Sequence, residues 1–443
     1  MRTSVLVIGG GVGGLTVALK LAMCGIDVTV AEQAKSGTHL YKGELLQPKS
    51  LEIFKALGLI GKVESCGHRI HRIDIHEMKK RGQLYEEIGH ASMDYGMVES
   101  VFSYSLMIPH ETLKEILLHA AEAYPAFHYL QPARFRGFTD QHKAAVSYEG
   151  KEKTIEADFI IGAEGRRSKT RDSMKTEIKE QTYDHHFLTV SFGRPAHLNE
   201  GKMISFSKGF LGLFPLPGQR VRTVYLIPAG SYKEMKDKGI GYFHQCYKEL
   251  CPELDGYVDE IKGWREIQLM IPVRYHASRY VEGRIALVGD AAHSVHPMAG
   301  EGMNLAIQDG DILGELLCWM YSTGNTIPEC LKWYERVRKP RTSHVLNLSH
   351  FSALTYSKPL TYFPAFRKKG IIQTTKDDWL HTKQMLNVSG LGIWRENALD
   401  RMIQIGLFPA RSSSDPAHLQ KKYMFHQDLD YPWRTRGGKH GAE

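Results

Sequence analysis

The chain has 443 residues, 42% hydrophobic and 24% charged, the balance of a soluble globular protein with two or three structural regions. Lys and Arg outnumber Asp and Glu by 57 to 49, a net charge of +8 that is mild for this length and makes no case for nucleic acid as a partner. Six scattered cysteines without a C-x-x-C pair speak against a disulfide framework or a zinc site, and for a reducing, cytoplasmic setting. No apolar run approaches the roughly 20 residues of a spanning helix, and the first one is too short for a signal-peptide core.

Val5 to Ile8 is a short apolar run, as a buried parallel strand requires. Gly9, Gly11 and Gly14 then match G-x-G-x-x-G, Leu15, Ala18, Leu19 and Ala22 follow at helical spacing, and a second strand through Ile26, Val28 and Val30 ends at Glu32. Glycines in this turn let a pyrophosphate approach the backbone, the helix N-terminus stabilises its charge, and the carboxylate accepts from a ribose hydroxyl. Gly9, Gly11, Gly13, Gly14 and Glu32 are therefore candidate dinucleotide ligands, with Gln33 beside them. The motif alone does not choose between FAD and NAD.

The stretch Gly43-Glu44-Leu45-Leu46-Gln47-Pro48 reads as a loop and helix start, with Leu51, Phe54 and Leu57 packing inward. His110 stands in the segment Ile108 to Leu113. Ala157 to Ala163 reads as a strand, followed by Glu164, Gly165, Arg166 and, further on, Arg171. Short β-rich runs broken by Gly and Pro fill Phe187 to Ile227 and predict a sheet.

Ile285 to Val288 is another buried-strand run, followed by Gly289-Asp290-Ala291-Ala292-His293, Pro297, Gly300-Glu301-Gly302-Met303-Asn304 and an amphipathic helix through Met320. This places a carboxylate at a strand end and a helix N-terminus with free N–H groups, which suits the negative charge of a reduced isoalloxazine ring. His293 and His296 have a metal-like spacing but no third ligand, so no metal is expected. Pro340 is expected to end a helix bearing Trp333, Tyr334 and Val337. Tyr356, Leu360, Tyr362, Phe363 and Phe366 precede Arg367-Lys368-Lys369, a run that reads as a helical cap or as a peripheral membrane contact. The tail after Pro432 reads as disordered.

The three glycine-containing segments, in this order and each after an apolar strand, resemble those of the FAD-dependent aromatic hydroxylases and epoxidases related to p-hydroxybenzoate hydroxylase. The resemblance covers about residues 1–345 in outline and is sharp only at the motifs. It implies an α/β fold: a discontinuous Rossmann-type FAD-binding domain (1–70, 96–175 and 275–345), a β-sheet substrate domain (71–95 and 176–274) and a C-terminal helical region (346–443). It also implies that Asp290 contacts the ribityl chain, that Pro297, Gly300, Gly302, Met303 and Asn304 lie against the flavin, and that Glu164 and Gly165 serve FAD and pyridine nucleotide. Glu164 stands where the family has Asp; Gln33 and His110 stand where many relatives have Arg. Residues 43–48 are similar to squalene epoxidases, which implies Gln47 at the flavin and substrate face.

Leu211 to Pro217 resembles the family loop facing the flavin. The implied chemistry is reduction of FAD by NADH or NADPH, reaction with O2 at the flavin C4a carbon, and transfer of one oxygen to hydroxylate, or epoxidise, a small hydrophobic, aromatic substrate. An FAD-dependent reductase of a polyprenyl or other unsaturated substrate, and a non-catalytic flavin-binding redox sensor, stay open as alternatives. No general base and no oligomeric state can be named from the sequence. His185, His186, Tyr183 and Tyr225 are all able to polarise a phenol.

Overall fold

The computed structural model of the chain describes residues 1–35, 43–82, 84–140, 142–174, 176–207, 209–357, 363–412 and 420–435, with the backbone alone at 299, 356–357 and 363–367. Its architecture is α/β. Strands Arg2–Ile8, Val28–Ala31, Phe127–Leu130, Lys151–Gly162 and Ile285–Leu287 run parallel in one sheet, whose central stretches Val5–Ile8, Val28–Ala31 and Phe159–Gly162 are buried, as a parallel strand covered on both faces requires. Val5, Leu6 and Val7 are fully buried there.

Register decides where the motifs meet. Ile8 pairs with both Gly162 and Ala31, and Gly162 pairs with Leu287. The chain therefore leaves adjacent strands at one level of the sheet's carboxyl edge at Gly9, Glu32, Ala163 and Val288. Ligands of open parallel sheets bind at this edge.

The Val12–Met23 helix packs on the Gly302–Thr323 helix at very close range. A Cβ added at Gly310 would stand 2.6 Å from the Gly13 carbonyl oxygen, and one at Gly314 would stand 2.9 Å from Lys20 Cβ. This approach brings Cys24 and Cys318 together across 294 residues in a disulfide with Cα atoms 6.2 Å apart. The expectation of unpaired cysteines is corrected here, since a contact between distant helices leaves no spacing signature. Cys66, Cys246, Cys251 and Cys330 are free thiols.

A second sheet of seven strands, in the order Gln268–Met270, His185–Gly193, Arg220–Pro228, Gly209–Leu216, Gly201–Phe206, Arg72–Arg81 and Leu84–Asp94, stands beside the first. The segment expected to be a flavin-facing loop, Leu211 to Pro217, is mostly strand; its inner residues pair with both neighbours and only the turn beyond Leu216 is loop. Phe214 nevertheless lines the cavity described below.

The helix expected to stop at Pro340 runs on from Lys332 to Ser357. Side chains on both sides of the proline anchor it: Arg338 to Asp309, Arg341 to Asp430, and Ser349 to the His296 carbonyl. Tertiary contacts thus outweigh the lost backbone bond at proline. In the tail, Trp433 is fully buried beside Tyr431, so order extends past the expected boundary; 436–443 lie outside the described residues. Of the aromatic and basic run at 356–369, residues 358–362 and the side chains of 356–357 and 363–367 lie outside what is described. Among the described residues, no helix is long and apolar enough to cross a membrane.

Candidate functional site

A cavity of about 1030 Å³ opens at the carboxyl edge of the parallel sheet. It is at the upper end of the roughly 300–1,000 Å³ typical of small-molecule sites, large enough for more than one ligand. Three walls enclose it.

The first wall is the nucleotide end. Gly11, Gly13 and Gly14 line it at the start of the Val12–Met23 helix, whose N-cap Gly11 supplies no side-chain hydrogen bond and whose first turn has no acidic residue. A Cβ at Gly11 would meet no protein atom and would stand in the cavity, whereas one at Gly14 would lie 2.2 Å from the Gly9 carbonyl. Gly9 itself, at φ +110°, lies against Ala163 and shapes the turn without entering the cavity wall.

Glu32 is buried behind this turn and accepts from the Gly10 and Ala34 N–H groups at 2.6 Å each. A carboxylate has about four acceptor positions, so two remain, although Glu32 itself does not line the cavity. Gln33, expected to touch the cofactor, is exposed and outside the cavity wall. His110 lines the cavity from the first turn of the His110–Glu122 helix.

Gly165 and Arg166 line the cavity, but Glu164 does not. The longer side chain turns back on its own segment: its carboxylate accepts from Ser168 Oγ at 2.6 Å and from the Thr170 N–H and hydroxyl at 3.0 and 2.8 Å. The expected cofactor contact of Glu164 is thus replaced by a cap on the short Lys169–Ser173 helix. Arg166 brings positive charge to this wall, and Arg171 holds the next one: its guanidinium donates to the Ala291 carbonyl at 3.2 Å and to Tyr275 Oη at 3.3 Å.

The second wall is the segment Asp290 to Met303. Asp290, Pro297, Gly300, Gly302 and Met303 line the cavity. Asn304 does not. It is fully buried, accepts from the Gln47 N–H at 2.8 Å and Ser50 Oγ at 2.7 Å, and donates to the Leu45 and Gly300 carbonyls. Its role is to staple the 45–50 segment to the glycine loop, which corrects its assignment to the flavin face.

Asp309 anchors the same wall from behind. It accepts from the Gly289 N–H at 2.9 Å, His293 Nε2 at 2.6 Å and Arg338 Nε at 2.7 Å, all out of contact with solvent. Burial alone would raise its carboxyl; His293 and Arg338 outweigh that and hold it below the usual range. His296 pairs with His185 Nε2 at 2.8 Å and accepts from the Met298 N–H through Nδ1. Burial, reinforced by His185, lowers His296 to about 3, and burial lowers His185 as well. The two motif histidines therefore serve the loop. Among the described residues no group of three His, Cys, Asp or Glu is placed to hold a metal. Of the four side chains able to polarise a phenol, none lines the cavity.

The third wall faces the substrate sheet and the C-terminal helices. Phe187, Met203, Phe210, Phe214 and Val224 come from the sheet, and Leu348 and Ile371 from the helices. Polar residues share this surface, Gln268, Thr374, Gln384, Asn387 and Arg401 among them, and two features stand close to the glycine loop. Glu44 and Arg222 form a bidentate pair at 2.8 and 2.9 Å that ties the 43–46 loop to the sheet. Gln47 is fully buried at the start of the Pro48–Ala56 helix, with its carbonyl accepting from Tyr95 Oη at 2.9 Å and its Nε2 lacking any partner among the described residues.

Comparison with known proteins matches residues 2–349 to the FAD binding domain family. The chain belongs to that family. Members with similar sequences include 6-methylpretetramide 4-monooxygenase of Streptomyces rimosus, 26% identical over 72% of this chain and 75% of that protein. Another is 3-demethoxyubiquinol 3-hydroxylase of Escherichia coli, 25% identical over 71% and 79%. The fold is shared with p-nitrophenol 4-monooxygenase PnpA of Pseudomonas putida, at TM-score 0.76 and 17% identity over 88% of this chain and 98% of that one. It is also shared with PqsL of P. aeruginosa in complex with 2-aminobenzoylacetate, at TM-score 0.73 and 22% identity over 83% and 100%. This member of the FAD-binding family is a flavoprotein enzyme of the monooxygenase type.

Arg171, Arg222, Tyr95 and Asp309 were not singled out as site residues by the sequence reading. Arg171 and Asp309 sit six and five residues beyond the last motif positions, Gly165 and Asn304, so proximity to the motifs is the one signal that could have flagged them. Arg222 and Tyr95 carry no local signal.

Proposed function

We propose that this enzyme uses NADH or NADPH and O2 to hydroxylate a small hydrophobic aromatic substrate held in the same cavity as its FAD. The observation that carries this reading is the continuity of one enclosure from Gly11–Gly14, through Pro297–Met303, to an apolar wall of Phe187, Phe210 and Phe214. A redox centre and a dry apolar chamber sharing one space suit oxygen transfer, because water excluded from the chamber cannot intercept the reactive flavin.

The residues fit FAD. Two helix N-termini, at Gly11 and Glu301, face the cavity without side-chain caps, as anionic groups require. Gly11, Gly13 and Gly14 would take the pyrophosphate, with Arg166 adding charge, and Glu32 would take the adenosine ribose. Asp290 and the loop Pro297, Gly300, Gly302 and Met303 would hold the ribityl chain and the ring, and Gln47 would stand at the substrate face. When bound, FAD supplies hydride acceptance and oxygen activation. The protein's own residues orient the ring, exclude water and offer the substrate an aromatic wall.

The domain limits given above belong to this proposal. So does a cytoplasmic location, with any bilayer contact confined to the 356–369 run. The testing experiment follows NAD(P)H consumption by the FAD-loaded enzyme with aromatic candidates, under air and under nitrogen. Substrate-stimulated, oxygen-dependent consumption with a product heavier by one oxygen is expected. Turnover that persists without oxygen and saturates a double bond would overturn hydroxylation in favour of a reductase.

A further inference from the structure

The C-terminal helices give the cavity a polar surface that flavin chemistry does not require. Thr374 on the Phe363–Lys376 helix, Gln384 on the Asp378–Val388 helix and Gln404 at the end of the Ala398–Gln404 helix all line it. The three lie beyond residue 349, where the match to the FAD binding domain family ends.

Their hydrogen-bonding capacity is not absorbed by the fold. Thr375 and Thr382, on the same two helices, return their hydroxyls to carbonyls three or four residues back, as helical threonines do. The Thr374 hydroxyl has no partner among the described residues and is open to the cavity. Gln384 is partly exposed, and its one hydrogen bond among the described residues runs from Nε2 to the Met93 sulfur at 3.8 Å, a weak acceptor. Gln404 accepts from Arg401 through Oε1 at 3.0 Å, which leaves Nε2 as a donor. Met93 belongs with Met203 and Phe214 to one apolar cluster, so the polar end adjoins the sheet wall.

This end carries no net charge, because the charged residues that line it, Arg401 and Glu396, pair at 2.6 Å. A carboxylate would have to compete with Glu396 for Arg401, whereas a neutral group meets no such rival. The helices are also held in place before any ligand arrives. Arg411 bridges Asp377 and Asp400, Lys383 pairs with Asp400 at 2.6 Å, and His381 Nε2 accepts from the Asp94 N–H at 3.1 Å, which ties the cover to the substrate sheet.

We propose that Thr374, Gln384 and Gln404 form a subsite for an uncharged hydrogen-bonding group, a hydroxyl or carboxamide, carried by the substrate on the end away from the ring beside the flavin. This rests on the reading that the cavity takes an aromatic substrate beside FAD, and makes that substrate amphipathic. The Gln384 carbonyl accepts from the ligand N–H or O–H, the Gln404 amide donates to its oxygen, and the Thr374 hydroxyl serves either way.

The test uses p-phenylphenol and its derivatives with a carboxamide or a carboxylate on the second ring, para or meta. Binding to the FAD-loaded protein is followed by perturbation of the flavin spectrum at about pH 7. A carboxamide is expected to bind about tenfold more tightly than p-phenylphenol, and the carboxylates no more tightly than it. Gln384→Leu and Thr374→Val should each cut the carboxamide preference to about threefold or less, whereas Thr374→Ser, which keeps the hydroxyl, should retain it. The quantity read is the ratio of the two affinities, since a variant that only loosens the helices weakens both ligands alike.

Carboxamides no tighter than p-phenylphenol, or a preference left intact in Gln384→Leu and Thr374→Val, would overturn the subsite alone. Tightest binding of a carboxylate would overturn its uncharged character. If neither p-phenylphenol nor any derivative bound, the aromatic reading of the cavity would fall, and the subsite with it.

Discussion

Replacing Asp309 by Asn tests whether the back of the flavin wall is held by one buried charge. The substitution keeps the shape but removes the charge and one of the two oxygens, of which Oδ2 accepts from Gly289 N–H and His293 and Oδ1 from Arg338. Arg338 and Asp309 are both fully buried, and breaking such a pair on one side typically costs about 3–5 kcal/mol. Arg338 would keep Gln308 and the Leu305 carbonyl, so a value near the lower end, about 3 kcal/mol, is expected. The Gly289 amide would lose a charge-assisted bond beside Asp290, which should weaken FAD binding about tenfold. Urea unfolding of the cofactor-free protein and fluorescence titration with FAD measure the two effects.

Because the Asp309 carboxyl is held below its usual range, its contribution is complete above about pH 4 and disappears only as pH falls through the lower folded value. The gap between wild type and variant should therefore close only in that acid window. Asp309→Leu combined with Arg338→Met should recover part of the loss, since the buried guanidinium is then no longer unpaired, although His293 and the Gly289 N–H still lose their acceptor. A loss under about 1 kcal/mol with unchanged FAD affinity would refute the reasoning, as would a double variant no better than Asp309→Asn.

Gly11→Ala should leave unfolding within about 1 kcal/mol of wild type yet weaken FAD binding at least about tenfold, whereas Gly14→Ala should destabilise the FAD-free fold by about 1–3 kcal/mol through its clash with the Gly9 carbonyl. Equal behaviour of the two in both assays would contradict the cavity geometry. Glu44→Gln removes the charge opposite Arg222 and should improve naphthoate binding about tenfold; an unchanged affinity would show that Arg222 does not face the ligand space. Arg411 donates to Asp377 and Asp400, which anchor the two helices beside it, and Arg411→Met should cost about 1.5–3 kcal/mol. Proteolysis near 377–405 should quicken with it; an unaltered rate would sever the ion pairs from the stability of the C-terminal cover.

The strand–glycine–helix units were legible in the sequence because they are local. Apolar runs of strand length, glycines at a turn with a positive φ, and acidic residues at strand ends each leave a mark within about thirty residues. Gly11, Gly13, Gly14, Gly165, Asp290 and most of the loop from Pro297 to Met303 line one cavity. The sheet's parallel register then converts three local units into one site, and that step was available only as a resemblance.

What tertiary structure alone decided is which polar groups face the cavity and which face each other. Asn304 and Glu164 belong to the motifs, but their side chains turn to Gln47, Ser50, Ser168 and Thr170, partners fixed by packing. Pro340 could not end a helix held on both sides by Asp309 and Asp430, and Cys24 met Cys318 because small residues let two distant helices touch. FAD binding was thus determined by the sequence, since covalent order suffices to specify turns and helix starts. Which polar groups of the glycine loop and its neighbours end up buried, Glu301 and Gln47 among them, depends on packing, and burial is a property of the folded chain.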